Sequence, residues 1–287
     1  MNIGLALSGG GAKGAAHIGV LKALEEEGIH ITHLSGTSSG SIISTLYAVG
    51  YTPMQILSIF NTYCKYIGKV DRSIPLKVLK SLFTGKIHIK GFSRGDNLEN
   101  LLYRYCYKKG ITDISKVKIP LAIPAVSLKN EQTVYYLSRK INENNDKSRH
   151  YRYYGNIASI VRSSCSFPAV FIPKEFDNEI YIDGGTSVNT PVSILKKMGA
   201  DKVIAVSFDN IDESNKQYNI INITLKAFEI MGQSLNEGEI EMADINVVPK
   251  IANGFLLDCS KTDAYVNAGY IATKRKMEEI KKLIETN

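Results

Sequence analysis

Two short apolar runs, 3–7 and 29–34, are each followed by a glycine-rich turn and then by a helical pattern. This strand–turn–helix order, met twice before residue 50, restricts the fold more than any other feature of the 287-residue chain. Strands that alternate with helices build a mostly parallel sheet with helices packed on its faces. The alternation continues along the chain. Strand-like segments fall at 2–7, 30–35, 119–126, 132–138, 179–183, 202–207 and 245–248. Helical patterns occupy 15–27, 39–49, 154–163, 190–198, 222–240 and 262–284, and Ile18, Leu21 and Leu24 stripe the first of them. The pattern predicts an α/β fold.

The second turn reads Gly36-Thr37-Ser38-Ser39-Gly40, the G-x-S-x-G spacing of a nucleophile elbow in a strand–turn–helix setting. A serine hydroxyl is a poor nucleophile unless it is exposed, oriented and relieved of its proton as it attacks. A sharp bend supplies the first two, and Gly36 and Gly40 bring no β-carbons into it. The helix that follows aims free N–H groups and its positive end at Ser38 and at the oxyanion formed by attack. The same five letters also describe an ordinary turn, so a catalytic reading needs a base and an anion site from elsewhere in the chain.

The first turn, Ser8-Gly9-Gly10-Gly11-Ala12-Lys13-Gly14, opens a helix. Consecutive glycines there point several backbone N–H groups at one spot, which suits an anion. The anion is either an acyl-transfer oxyanion or a phosphate, because Gly9-x-Gly11-x-x-Gly14 also matches the dinucleotide fingerprint. That fingerprint expects an acidic residue at the end of the next strand. Leu34-Ser35-Gly36 stands there instead, and Gly14 is followed by Ala15-Ala16, which fails the Walker pattern too. An oxyanion site, a nucleotide site and a ligand-free turn stay open on this segment alone.

The base is more revealing. The chain has five histidines, His17, His30, His33, His88 and His150, and none follows the best acid candidate, Asp183. A Ser–acid–His order is therefore absent. His17 reads as structural, and His88 and His150 as solvated; a triad through His150 has no local support. Glu179 to Ile182 reads as a strand that delivers Asp183 to a Gly184-Gly185 turn. A carboxylate there can take the Ser38 proton directly if burial raises its pKa. The bland alternative is an Asp-Gly turn.

Together these segments resemble the patatin-like phospholipase family. Gly9 to Gly14 is similar to its oxyanion loop, Gly36 to Gly40 to its elbow, and Asp183-Gly184-Gly185 to its Asp-Gly-Gly/Ala motif. Smaller echoes are Ala16-His17-Ile18-Gly19-Val20-Leu21, the run Ser164 to Pro173, and Asn189-Thr190-Pro191, so the resemblance covers about residues 1–210. It implies a three-layer α/β/α sandwich with a helical cap insertion. It also implies a Ser38–Asp183 dyad hydrolase of phospholipid or lysophospholipid acyl esters that uses no metal or other cofactor. Gly9, Gly10, Gly11 and Ser39 would supply the oxyanion hole, with Lys13, Gly14, Gly36, Gly40, Gly184 and Gly185 in support. Lys13 stands where many members carry Arg. The motifs span 9–183, so we expect one domain over 1–287, with a cap at about 53–115 and a motif-free C-terminal extension from about 210.

Charge adds one inference. The chain has 35 basic and 28 acidic residues, a net charge of +7. Segment 65–94 holds Lys65, Lys69, Arg72, Lys77, Lys80, Lys86, Lys90 and Arg94 against Asp71 alone, so the remainder balances at 27 of each sign. Ile67, Val70, Ile74, Leu76, Leu79, Leu82 and Phe83 are interleaved, as in short amphipathic helices. This is either a lid that docks on anionic lipid or a solvated basic face. No nucleic-acid motif accompanies it.

Cys64, Cys106, Cys165 and Cys259 are scattered and predict buried free thiols. With no leader-like start and no membrane-length apolar run, the expectation is a cytoplasmic protein that meets membranes peripherally. Two rivals from other classes remain: a phosphate- or nucleotide-binding module built on Gly9–Gly14, and a lipid-surface scaffold with an idle site.

Overall fold

The computed structural model describes residues 1–65, 71, 73–84, 86, 89–142, 149–209, 220–251 and 259–285. Its elements run β1 (Ile3–Leu7), α1 (Ala16–Glu26), β2 (His33–Gly36), α2 (Ser39–Ala48), α3 (Pro53–Cys64), α4 (Ile74–Thr84), α5 (Asp96–Lys108), β3 (Leu121–Ser127), β4 (Gln132–Leu137) and β5 (Arg149–Arg152). There follow α6 (Ile157–Ser164), β6 (Lys174–Phe176), β7 (Glu179–Asp183), α7 (Ser193–Lys197), β8 (Lys202–Val206), α8 (Ile220–Glu241), β9 (Ile245–Val247), α9 (Thr262–Arg275) and α10 (Met277–Glu285). Two short strands, β5 and β6, were not expected from the sequence. β6 turns into β7 through Asp177-Asn178, both at positive φ, a two-residue hairpin without the glycine that usually marks one. The long C-terminal helical pattern divides into α9 and α10 at Lys276.

One sheet in the order β5-β4-β3-β2-β1-β8-β9 forms the middle layer, with β3-β2-β1-β8-β9 parallel and β4 antiparallel to β3. The fold is the expected α/β/α sandwich. Period-two alternation sorts the strands onto two faces. Leu5, Leu7, Ile204 and Val206 join α1, α2, α3, α5 and α6 in the main core. Ala6, Val203 and Ala205 face α7, in a separate cluster with Val192 and Leu195. β1 and β2 are buried throughout, as parallel central strands covered on both faces are.

Chain order reverses around β1, which has β2 on one edge and β8 on the other. Ligands of open α/β sheets bind in the crevice at such a switch point, beyond the C-terminal strand ends. The edge of β3 sharpens the geometry. Its first residues pair with β2, Leu121 opposite Leu34, while Ala125 to Ser127 pair antiparallel with β7, placing Asp183 opposite Ala125. Where β2 stops at Gly36, the end of β7 takes over the same edge. Two distant turns are thereby brought together.

The motif-free C-terminal quarter is integrated into this arrangement. β9 extends the sheet beside β8, and α9 lies directly on α1. A β-carbon on Gly19 would stand 1.9 Å from the Val266 carbonyl oxygen, and one on Gly269 the same distance from that of Ala16. Both helices therefore meet backbone to backbone. The expectation of four free thiols is corrected: Cys64 at the end of α3 is disulfide-bonded to Cys259, and only Cys106 and Cys165 are free, both buried. The scatter of these cysteines hid a pair separated by 195 positions.

Three helices, α3 to α5, lie in the segment where a cap was expected, and α3 and α5 pack into the main core. α3 starts with a capping box of Thr52 and Gln55 and Pro53 at its first turn. In the basic segment, Ile67, Lys69, Val70, Arg72 and His88 lie outside the described residues. On α4, Ile74 is buried, Lys77 pairs with Asp71 at 3.2 Å, and Phe83 is 82% exposed. Among the described residues no helix is long and apolar enough to cross a membrane.

Candidate active site

The elbow links β2 to α2 with Ser38 at its apex. Ser38 has φ 51° and ψ −121°, a strained conformation for a residue with a side chain, and its backbone bends so sharply that Gly40 packs on β1. A β-carbon on Gly40 would lie 2.3 Å from the Leu7 carbonyl oxygen. Among the bonds that hold the bend are Gly40 N–H to Thr37 O at 2.8 Å, Thr37 N–H to Leu7 O at 3.1 Å, Thr37 Oγ1 to Val188 O at 2.9 Å, and Ser41 Oγ to Ser38 O at 2.6 Å. The Ser38 N–H donates to Ser164 Oγ at 3.0 Å. Ser38 is thus carried, partly buried, on a backbone held by several hydrogen bonds.

The glycine loop after β1 lies against this turn; a β-carbon on Gly9 would come within 3.2 Å of the Ser38 β-carbon, and one on Gly14 within 2.4 Å of Ser39 Oγ. The four expected oxyanion donors are not equivalent. The Gly9 N–H is taken by Asn189, donating to its carbonyl oxygen at 3.2 Å and its Oδ1 at 3.1 Å. Among the described residues the N–H groups of Gly10, Gly11 and Ser39 have no acceptor. His17, buried on α1, fixes the loop's start by donating from Nε2 to the Ser8 carbonyl at 2.8 Å. Burial pulls its pKa down to about 4, so the ring is neutral at pH 7. It is structural, as its position in the sequence suggests.

Asp183 ends β7, is 1% exposed, and is locked in place by donating its N–H to Ser166 O at 3.1 Å. Its Oδ1 accepts the Gly185 N–H at 2.8 Å, while the buried Oδ2 has no hydrogen-bond partner. Burial raises this carboxyl from the ordinary 3.8 to about 7, against the opposing pull of the Gly185 N–H, the Ser38 hydroxyl and the Arg162 charge. The Ser38 hydroxyl is close enough to bias Asp183 toward its charged form without making a bond of good geometry. No histidine among the described residues hydrogen-bonds to Ser38 or Asp183. His150 lies exposed on β5.

Sequence reasoning assigned no individual role to several residues that shape this site. Asn189 orients Gly9, Ser164 holds the Ser38 N–H, and Ser166 anchors Asp183. Beside them lie Cys165, whose thiol burial pushes up to about 12, and Arg162, among the largest fully buried side chains of the described residues. All but Arg162 fall in segments whose resemblance to a family is visible, but nothing in their spacing indicates a part in the site. On the outer side, Gly185 O lies beside Gly232 of α8, and Phe228 of α8 meets the Phe167 ring edge-on at 5.8 Å.

Comparison with known proteins agrees with these features. The family described as patatin-like phospholipase matches residues 5–196. Patatin-like phospholipase domain-containing protein 6 of Mus musculus is 31% identical over 218 residues, covering 74% of this chain and 14% of that protein. Lysophospholipase NTE1 of Yarrowia lipolytica is 30% identical over 221 residues, covering 74% of this chain and 13% of the relative. The chain thus spans about an eighth of the length of such relatives. Among solved structures, the ExoU–SpcU complex of Pseudomonas aeruginosa matches with a TM-score of 0.49 and 19% identity, over 98% of this chain and 51% of that one. With a family match across two thirds of its length, and with the glycine loop, the serine elbow and the Asp-Gly-Gly turn gathered at one crevice, the chain belongs to the patatin-like phospholipase family.

Proposed function

We propose that this chain is a serine acyl-ester hydrolase that cleaves fatty-acyl esters of phospholipids or lysophospholipids through a Ser38–Asp183 dyad. The observation that carries the reading is a strained serine turn beside a buried carboxyl whose free oxygen and pKa near 7 suit it to proton transfer. Asp183 Oδ2 takes the hydroxyl proton as Ser38 Oγ attacks the ester carbonyl carbon. The oxyanion then faces the free N–H groups of Gly10, Gly11 and Ser39, while Gly9 positions the loop through Asn189. Collapse breaks the ester C–O bond, and the leaving alcohol receives the proton from Asp183. Water next attacks the acyl-serine with Asp183 as base, releasing the fatty acid and restoring Ser38. Loss of one oxyanion donor typically costs about 10²–10³ in rate.

The names of the relatives, a lysophospholipase and a patatin-like phospholipase domain-containing protein, support lipid esters as the substrate class. Lipid contact is supported by the basic segment 65–94, by exposed Phe83, and by Ile230, Met231 and Leu235, exposed on α8 beside the Asp183 turn. We read all of 1–287 as one hydrolase domain, because α9 supports the helix that follows the glycine loop and β9 completes the sheet.

The test is fatty-acid release from lysophosphatidylcholine and from diacyl phosphatidylcholine vesicles by wild type and Ser38→Ala. Release that disappears in the folded variant supports the dyad. Vesicle binding without release supports an idle scaffold, and thermal stabilisation by nucleotide without release supports the anion-binding rival. Co-sedimentation that is equal for neutral and anionic vesicles, and indifferent to salt, removes the electrostatic part of the lipid contact.

A further inference from the structure

We propose that Arg162 is a positioning residue for the dyad, a buried cation that clamps the cap to the α6 turn and holds Asp183 in its charged, proton-accepting form. This rests on the reading of Asp183 as the base. Arg162 is 1% exposed, and among the described residues no carboxylate forms an ion pair with it. An unpaired guanidinium withdrawn from water is costly, and such a group persists where the surrounding contacts compensate it.

Those contacts converge on the site from two directions. One guanidinium nitrogen donates to Ser166 Oγ at 2.7 Å. The other donates to the carbonyl oxygens of Arg94 at 2.6 Å and Ile172 at 2.9 Å, and the group lies 5.0 Å from the centre of the Phe171 ring. Arg94 ends the basic segment 65–94, whose last residues run alongside 170–172, with Ser93 N–H to Val170 O at 2.9 Å and Ile172 N–H to Ser93 O at 2.8 Å. The approach is so close that a β-carbon on Gly95, at φ +73°, would stand 2.0 Å from Arg162 Nε. On the inner side, Ser166 passes the restraint to Asp183 through its carbonyl, and two residues earlier Ser164 receives the Ser38 N–H. A single helical end therefore touches both members of the dyad, and Arg162 ties that end to the cap.

The electrostatics agree in sign. The groups that face Arg162 are Asp183 from β7, Cys165 after α6, Tyr63 from α3, and Glu99 and Asp96 from α5. Glu99 is already paired with Lys174 at 2.7 Å and Asp96 with Arg94 at 3.7 Å. Asp183 is the buried carboxylate left facing the guanidinium. Around it, burial favours the neutral acid, and the Gly185 N–H, the Ser38 hydroxyl and the Arg162 charge oppose it.

The test is the pH dependence of kcat/KM on a soluble nitrophenyl ester for Arg162→Met, Arg162→Gln and Arg162→Lys. Loss of the cation should move the acid limb to higher pH. Arg162→Lys, which keeps a charge but not the fork, should return the limb toward wild type while kcat stays reduced. The glutamine variant keeps an amide donor and serves if the methionine variant does not fold. A limb that stays in place in a folded neutral variant, with Ser38→Ala inactive, overturns the role of Arg162 alone. Activity that survives Ser38→Ala overturns the dyad beneath it.

Discussion

Burial is what gives Asp183 its chemistry. At the ordinary value of 3.8 the carboxylate would be a weak base, whereas at about 7 it is matched to proton transfer near neutral pH. The same rise has a cost in stability, and its sign follows from the protons. Between about pH 4 and about pH 7 the unfolded chain has released this proton while the folded chain keeps it. The contribution is therefore full below about pH 4, lost as pH rises to about 7, and constant above. A rise of this size corresponds to about 4 kcal/mol. Asp183→Asn should be inactive yet melt higher than wild type, with a gap in Tm that opens between pH 4 and 7 and then stays level. A gap that does not depend on pH would show that the carboxyl is not buried as described. At this scale Ser38 and Asp183 were legible in the sequence, because turn glycines mark both. Asn189, Ser164 and Arg162 were not, because they act on positions 180, 126 and 68 residues away, and no local pattern encodes such pairs.

Elements were legible in proportion to their burial. β1 and β8 are apolar runs, β2 (His33-Leu34-Ser35-Gly36) is marked by the turn that follows it, and all three fall within a few residues of the expected segments. β5, with Arg149, His150, Tyr151 and Arg152, carries no such signal, since an edge strand needs only backbone pairing with β4. The importance of α9 was also hidden. Its glycine reads as a weakness in a helix until α1 is found against it. Gly269→Ala should therefore lower the urea midpoint by the equivalent of about 1–3 kcal/mol or more, although alanine is the better helix former. It should also lower turnover, because α1 carries His17, which holds the start of the glycine loop. An unchanged or raised midpoint would mean that the two helices do not meet at this glycine.

For the molecule as a whole, the fold was readable from the alternation of strands and helices, and the crevice from the order of its motifs. The link between α3 and the C-terminal region was not. The Cys64–Cys259 bridge joins the end of α3 to the segment before α9 and closes a loop of 195 residues. Cross-links of this kind stabilise by about 2–4 kcal/mol, chiefly by restricting the unfolded chain. Reduction, or Cys64→Ser, should lower the urea midpoint by a matching amount, and a midpoint indifferent to reductant would count against the bridge. The central claim, that Ser38 is a nucleophile activated by Asp183, is tested most directly by covalent capture. The folded protein would be treated with a fluorophosphonate probe and its intact mass and peptides measured for wild type, Ser38→Ala and Asp183→Asn. The prediction is one adduct per chain on Ser38, none in Ser38→Ala and a sharply slowed reaction in Asp183→Asn. Full labelling of Ser38→Ala, or none of the folded wild type, would contradict it.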